Sequence, residues 1–122
     1  MKEGEGFLLE SVDRGESWGR WSFIGRNPLL TVTSKEGAIE IEGELPHQID
    51  TNNGMLSALE DLLERYQSPE IEGLPPLHGG LIGYLGYDTV REIEELPNIP
   101  KDDRGFPDAW NAWMPNAYIK KE

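Results

Sequence analysis

The chain has 122 residues, room for one domain of ordinary size but not for two. Eleven Lys and Arg stand against 23 Asp and Glu, and a net charge of −12 repels phosphate backbones and anionic lipid surfaces, so neither a nucleic acid nor a membrane is expected as a partner. With no cysteine, disulfides, thiolate metal sites and cysteine nucleophiles are ruled out. Counting Gly among the apolar residues and leaving Tyr out puts the chain at about 45%, in the globular range. No stretch has the apolar length of a membrane span, and the polar start Met1, Lys2, Glu3 lacks the pattern of a secretory signal, so the cytoplasm is the expected compartment.

Gly6 to Ser11 reads as a short strand whose run Phe7, Leu8, Leu9 suits burial on both faces. Val12 to Arg20 is polar and glycine-containing, a loop, after which Trp21, Phe23 and Ile24 mark a second strand ended by Asn27 and Pro28. Leu30 and Val32, then Ala38, Ile39 and Ile41, flank the link Lys35–Glu36–Gly37, which predicts a β-hairpin. Met55, Leu56, Leu59, Leu62, Leu63 and Tyr66 form one apolar stripe at helical spacing. Thr51, Asn52 or Asn53 is positioned to cap that helix, Asp61 can pair with Arg65 one turn on, and Ser68–Pro69 ends it.

A proline-rich connector runs to His78, followed by a strand from Leu81 to Tyr87 whose glycines admit close backbone approach. Val90 to Leu96 predicts one or two helical turns, Pro97 to Pro107 is turn-rich, and Trp110 to Ile119 shows only weak strand character. The fold class expected is α+β, mainly antiparallel sheet with one principal helix packed on it, in a single domain spanning residues 1–122.

Residues that would carry chemistry are scarce. Gly79, Gly80, Gly83 and Gly86 match neither the dinucleotide fingerprint nor a phosphate loop and are better read as permitting tight strand packing. His47 and His78 have no second ligand at metal spacing. Asp102 and Asp103 read as a solvated turn and Glu92, Glu94 and Glu95 as a wet helical face. No catalytic residue and no metal site is expected.

Two ordered motifs carry more. Gly6-Phe7-Leu8-Leu9-Glu10-Ser11 with Trp18-Gly19-Arg20-Trp21-Ser22-Phe23-Ile24-Gly25, and later Gly79-Gly80-Leu81-Ile82-Gly83-Tyr84-Leu85-Gly86-Tyr87-Asp88 with Val90, Arg91 and Glu94-Glu95-Leu96-Pro97, resemble the amino-terminal region of anthranilate synthase component I, a chorismate-using family. The resemblance covers about residues 5–109, and residues 110–122 depart from the family pattern as an atypical tail.

That resemblance implies an α/β sandwich of which this chain supplies part. It implies that the chorismate and magnesium sites lie in a carboxy-terminal half not contained here, so that the chain alone is inactive and holds no cofactor. It implies a feedback site for tryptophan, with Glu10 and Ser11 in the motif that supplies contacts and Ser22 lining the pocket, and docking of a glutamine amidotransferase subunit. The chemistry of a zwitterion fits those residue types. Glu10 can accept from the ammonium, Ser11, Ser22 or Arg20 can donate to the carboxylate, and Leu9, Trp21 and Phe23 could wall a slot for the indole. The competing reading pairs Glu10 with Arg20 or Arg26 at a strand end and assigns the aromatic residues to the core. Two other functional readings stand beside this one: a component of aminodeoxychorismate synthase, and an interaction module that keeps the fold without ligand recognition. Segments left without neighbours, Phe7 to Leu9 and Leu81 to Tyr87, would then have open edges or uncovered faces.

Overall fold

A computed structural model describes residues 4, 6–10, 21–44, 48–67, 69–74, 77–115 and 118–121, the last four as backbone. The elements in chain order are β1 (Gly6–Glu10), β2 (Trp21–Arg26), β3 (Leu30–Lys35), β4 (Ala38–Gly43), α1 (Met55–Arg65), β5 (Gly80–Leu85), a 3₁₀ helix over Tyr87–Glu92, β6 (Ala109–Met114) and β7 (Tyr118–Lys121). All pairings are antiparallel, in a three-stranded sheet ordered β1-β2-β7 and a four-stranded sheet ordered β4-β3-β6-β5. The expected class, antiparallel sheet with one main helix, is the one observed.

Local chemistry explains the hairpin. Glu36 and Gly37 both take positive φ, 49° and 80°, the two-residue turn whose twist matches the strands it joins. Ile39 and Ile41 then face inward and Glu40 and Glu42 outward, the alternation of a half-buried strand.

The two sheets are linked through a common pair of strands. β2 runs on into β3 and β6 into β7, and the same two chain segments pair in both sheets. Five residues separate Ile24 from Leu30 while four separate Tyr118 from Trp113, so the β2–β3 side carries one residue more. An unmatched residue bends a ladder. Here Asn27 turns at φ 55°, Pro28 is buried, and the Leu29 N–H resumes pairing on the Trp113 carbonyl at 3.0 Å.

The core lies between α1 and one face of the four-stranded sheet. Leu30 and Val32 of β3, Ala109 and Trp113 of β6, and Met55 and Leu62 of α1 form its buried centre, edged by Ile39, Ile41, Ile49, Leu59, Tyr66 and Leu81. The rings of Tyr66 and Trp113 meet at 5.4 Å and 51°, a tilted contact that fastens the helix end to β6.

The weak strand character expected from Trp110 to Ile119 is realised as β6 and β7, and β6 lies inside the sheet between β3 and β5 with both faces buried, which is why its sequence lacks alternation. Three expectations change. Phe7, Leu8 and Leu9 are not buried on both faces, since β1 is an edge strand with Leu8 and Leu9 exposed. No side chain of Thr51, Asn52 or Asn53 caps α1. Its N-cap residue is Gly54, and the carboxylate of Glu92, placed on a wet face by sequence, takes the Met55 and Leu56 N–H groups at 2.7 and 2.9 Å. Asn52 and Asn53 instead donate to Asp50. The turns expected at Val90 to Leu96 begin earlier, at Tyr87, and stop at Glu92.

The predicted open edges are present, with Leu8, Leu9, Tyr84, Leu85 and Tyr87 all exposed. Glycine packing is also as expected. A Cβ on Gly83 would lie 2.0 Å from the Trp110 carbonyl oxygen, and one on Gly86 2.5 Å from that of Asp108.

Candidate functional site

The β1–β2 ribbon holds the residues singled out by sequence. Its register pairs Phe7 with Gly25, Leu8 with Ile24, Leu9 with Phe23 and Glu10 with Ser22. Directly opposed residues share a face and successive residues alternate. Glu10 and Ser22 therefore share one face with Leu8 and Ile24, whereas Leu9, Phe23 and Trp21 occupy the other. The slot of Leu9, Trp21 and Phe23 and the polar pair are thus on opposite sides of the ribbon; the apolar groups beside the polar pair are Leu8 and Ile24, both exposed.

Gly25 fits this geometry for a steric reason. A Cβ there would lie 2.0 Å from the Phe7 ring, which covers the glycine and stiffens the ribbon. Ser22 is buried at 8% exposure and Glu10 is exposed, so an acceptor open to solvent stands opposite a sheltered hydroxyl. Such a pair can receive an ammonium group on one side and donate to an anionic or carbonyl oxygen on the other. Ser11 and Arg20, expected at the same site, lie outside the described residues, as do Trp18 and His47. Arg26 stands opposite Gly6, at the far end of the ribbon from Glu10, which removes it as the ladder partner of that carboxylate.

Charged groups elsewhere organise loops. The Lys35 ammonium pairs with Asp102 and donates to the Phe106 carbonyl at 2.7 Å, while Asp102 also accepts from the Arg104 and Gly105 N–H groups at 3.1 and 2.9 Å. The lysine hydrogen bond, then these backbone donors, hold the Asp102 carboxyl at about 2; the same hydrogen bond raises the Lys35 pKa. The Glu36 N–H donates to Asp108 at 2.6 Å, closing the clamp. Asp102 is therefore more than a solvated turn residue. Asp50 is held below its ordinary value mainly by the Asn52 N–H, with the Asn52 side chain adding to it. The Lys35–Asp102 pairing and the Glu92 contact with α1 were not legible beforehand, because Lys35 and Asp102 are 67 positions apart and Met55 and Glu92 are 37 apart.

Among the described residues, no group of three His, Cys, Asp or Glu side chains is arranged to hold a metal ion, and no helix is long and apolar enough to cross a membrane. A shallow groove of about 490 Å³ runs along α1 between Leu56, Leu59, Leu63, Glu60, Glu64 and Gln67; it is open and belongs to the helix surface, with no residue of the ribbon in it.

No family model matches the sequence. The chain is 38% identical over 102 residues to anthranilate synthase component 1 from Acetivibrio thermocellus, a match covering 84% of this chain and 21% of that protein. It is 41% identical over 102 residues to the protein of that name from Mycolicibacterium smegmatis, with 84% and 20% covered, and 42% identical over 106 residues to that from Pseudomonas aeruginosa, with 84% and 21% covered. The chain thus spans about a fifth of the length of these curated relatives. Its fold is similar to part of the crystal structure of anthranilate synthase component I from Streptococcus pneumoniae TIGR4, at a TM-score of 0.64 and 24% identity, covering 100% of this chain and 25% of that one; at that identity the likeness concerns fold alone.

Proposed function

Starting from its homology to the amino-terminal region of the anthranilate synthase component I family, we propose that this chain forms a regulatory portion of such an enzyme, in which the β1–β2 ribbon binds tryptophan as a feedback ligand. One observation carries the reading: the register sets the exposed Glu10 carboxylate directly opposite the buried Ser22 hydroxyl, with Leu8 and Ile24 exposed on the same face. In this proposal Glu10 accepts from the ammonium of the amino acid. Ser22, with Ser11 and Arg20 from the adjoining segment, donates to its carboxylate. Leu8 and Ile24 pack against the indole, and Leu9 braces the ribbon from behind against Phe23.

The family's reaction, from chorismate and glutamine to anthranilate, is assigned in this reading to the four fifths of the longer relatives that the chain does not match. Magnesium is assigned in the same reading to that unmatched part. The partners proposed are that catalytic portion and a glutamine amidotransferase subunit, in a cytoplasmic setting.

The test combines two measurements. Calorimetric titration of the chain with tryptophan is expected to show binding that Glu10→Gln and Ser22→Ala each weaken at least tenfold. Mixed with the separately produced carboxy-terminal portion of a matched synthase, the chain is expected to restore anthranilate fluorescence, suppressed by tryptophan only while Ser11 and Ser22 are intact. Suppression unchanged in both serine variants would refute the site, and chorismate turnover by the 122-residue chain alone would refute the division of labour.

A further inference from the structure

Asparagine is a thermolabile residue, because the backbone nitrogen that follows it can attack its side-chain amide. The attack is easiest where the next residue has no side chain to crowd the ring that forms. The asparagines of this chain differ in that respect. Asn27 precedes Pro28, which has no N–H to give up, and Asn98 precedes the β-branched Ile99. Asn111 is buried in β6, between β3 and β5. Asn53 is the one asparagine followed by glycine, Gly54, and no aspartate is followed by one.

The fold leaves this dipeptide accessible and ties it to the start of α1. Asn53 is exposed, in the turn that leads into Gly54, the N-cap residue. Among the described residues nothing accepts from the Gly54 N–H, so no hydrogen bond has to break before that nitrogen reacts. The Asn53 side chain is tethered through Nδ2, which donates to Asp50 Oδ2 at 2.9 Å. On its other side Gly54, at φ 91°, lies against Glu92: a Cβ there would stand 2.9 Å from the carboxylate carbon. That same carboxylate takes the Met55 and Leu56 N–H groups, so the reactive pair abuts the contact that closes the helix end.

We propose that Asn53–Gly54 is a site of spontaneous deamidation in the folded chain, and that its β-linked product uncouples α1 from Glu92. The Gly54 nitrogen gives its proton to a solvent base and bonds to Asn53 Cγ; the Cγ–Nδ2 bond breaks and ammonia leaves. Water then opens the five-membered imide at either carbonyl. Opening at Cγ restores the ordinary chain with an aspartate in place of Asn53. Opening at the main-chain carbonyl gives isoaspartate, whose chain runs through the former side chain and is one methylene longer. One water is consumed and one ammonia released, with no change of oxidation state. Both products replace the donor on Asp50 by a second carboxylate, which turns the tether into a repulsion. Isoaspartate also lengthens the backbone directly before Gly54, where the contact with Glu92 leaves no slack, and draws Met55 and Leu56 off their acceptor. The inference is independent of the proposed tryptophan site.

The experiment incubates the full 122-residue chain in mildly alkaline buffer, native and urea-unfolded in parallel. Peptide mapping by mass spectrometry locates each amide-to-acid conversion, and enzymatic methylation marks isoaspartate. Conversion at Asn53 is expected to run at least tenfold faster than at Asn98 or Asn111, and the native rate to lie within tenfold of the unfolded one. In the isoaspartate fraction the Met55 and Leu56 amides are expected to exchange at least tenfold faster than in fresh chain. Asn53→Gln keeps the amide but can close only a less favourable six-membered ring, and is expected to show neither change over the same period. Asn53→Asp supplies the charge without the longer backbone and is expected to keep the Met55 and Leu56 protection within about threefold. Exposure of Asn53 makes both variants tolerable to the fold, and the ageing of wild-type chain is independent of them. A native rate more than tenfold below the unfolded one, or conversion at Asn53 no faster than at Asn98, would overturn the site. Undiminished protection in the isoaspartate fraction, or an equal loss in Asn53→Asp, would overturn its link to the Glu92 contact.

Discussion

Replacing Glu92 by alanine removes both acceptors that close the amino-terminal end of α1. Glu92 Oε1 takes the Met55 N–H at 2.7 Å and Oε2 the Leu56 N–H at 2.9 Å, and no side chain nearer in sequence does this work. A helix N-terminus deprived of its cap loses about 0.5–2 kcal/mol, and removing a negative charge from the positive end of the helix dipole adds about 0.3–1 kcal/mol. Met55 is buried, so its N–H gains little compensation from water and the cost falls in the upper part of those ranges. The expected loss is about 2 kcal/mol. At this chain length that lowers the thermal midpoint by roughly 6–12 °C. Glu92→Gln keeps one carbonyl acceptor and should lose about half as much. Urea denaturation followed by far-UV circular dichroism measures both, with an unchanged m-value showing that only the native state has been affected. Alanine within about 0.5 kcal/mol of wild type, or glutamine costing as much as alanine, would refute the cap.

Two further outcomes follow from the same structure. Because Asp102 titrates at about 2 in the folded chain against 3.8 ordinarily, its contribution to stability is fully present above pH 4 and disappears as pH falls toward 2; nuclear magnetic resonance of the Gly105 amide should report release of the loop in that window, and Asp102→Asn should abolish the transition. Gly83→Ala would force a Cβ to within 2.0 Å of the Trp110 carbonyl, separating β5 from β6 and costing about 3 kcal/mol; chemical denaturation checks it, and a variant as stable as wild type would mean the two strands are not so closely paired.

Much of the fold is carried by short-range pattern. The stripe from Met55 to Tyr66 became α1, the Glu36–Gly37 turn closed the β3–β4 hairpin, and Asp61 paired with Arg65 at 2.7 Å, since these depend on residues one turn or a few positions apart. The two quoted motifs gave the family as well. Other features depend on which distant segments meet. Trp110 to Met114 carried almost no strand signal because a strand enclosed between two others and buried on both faces has no need to alternate.

In the candidate site the residue types at Glu10 and Ser22 were visible in the chain, but their relation was not. Side chains alternate with a period of two, so only the register of β1 on β2 decides that Glu10 faces Ser22 and that Leu9 and Phe23 turn away from both. The Glu92 cap and the Lys35–Asp102 clamp have the same origin: each joins a backbone or side-chain group to a charge dozens of residues away, and no local propensity records such a meeting. The amino-acid sequence determined the principal helix, the β3–β4 hairpin and the kinship of this protein. Tertiary structure alone decided which faces share a surface and where several elements begin and end, because pairing between strands remote in sequence is chosen by the whole core.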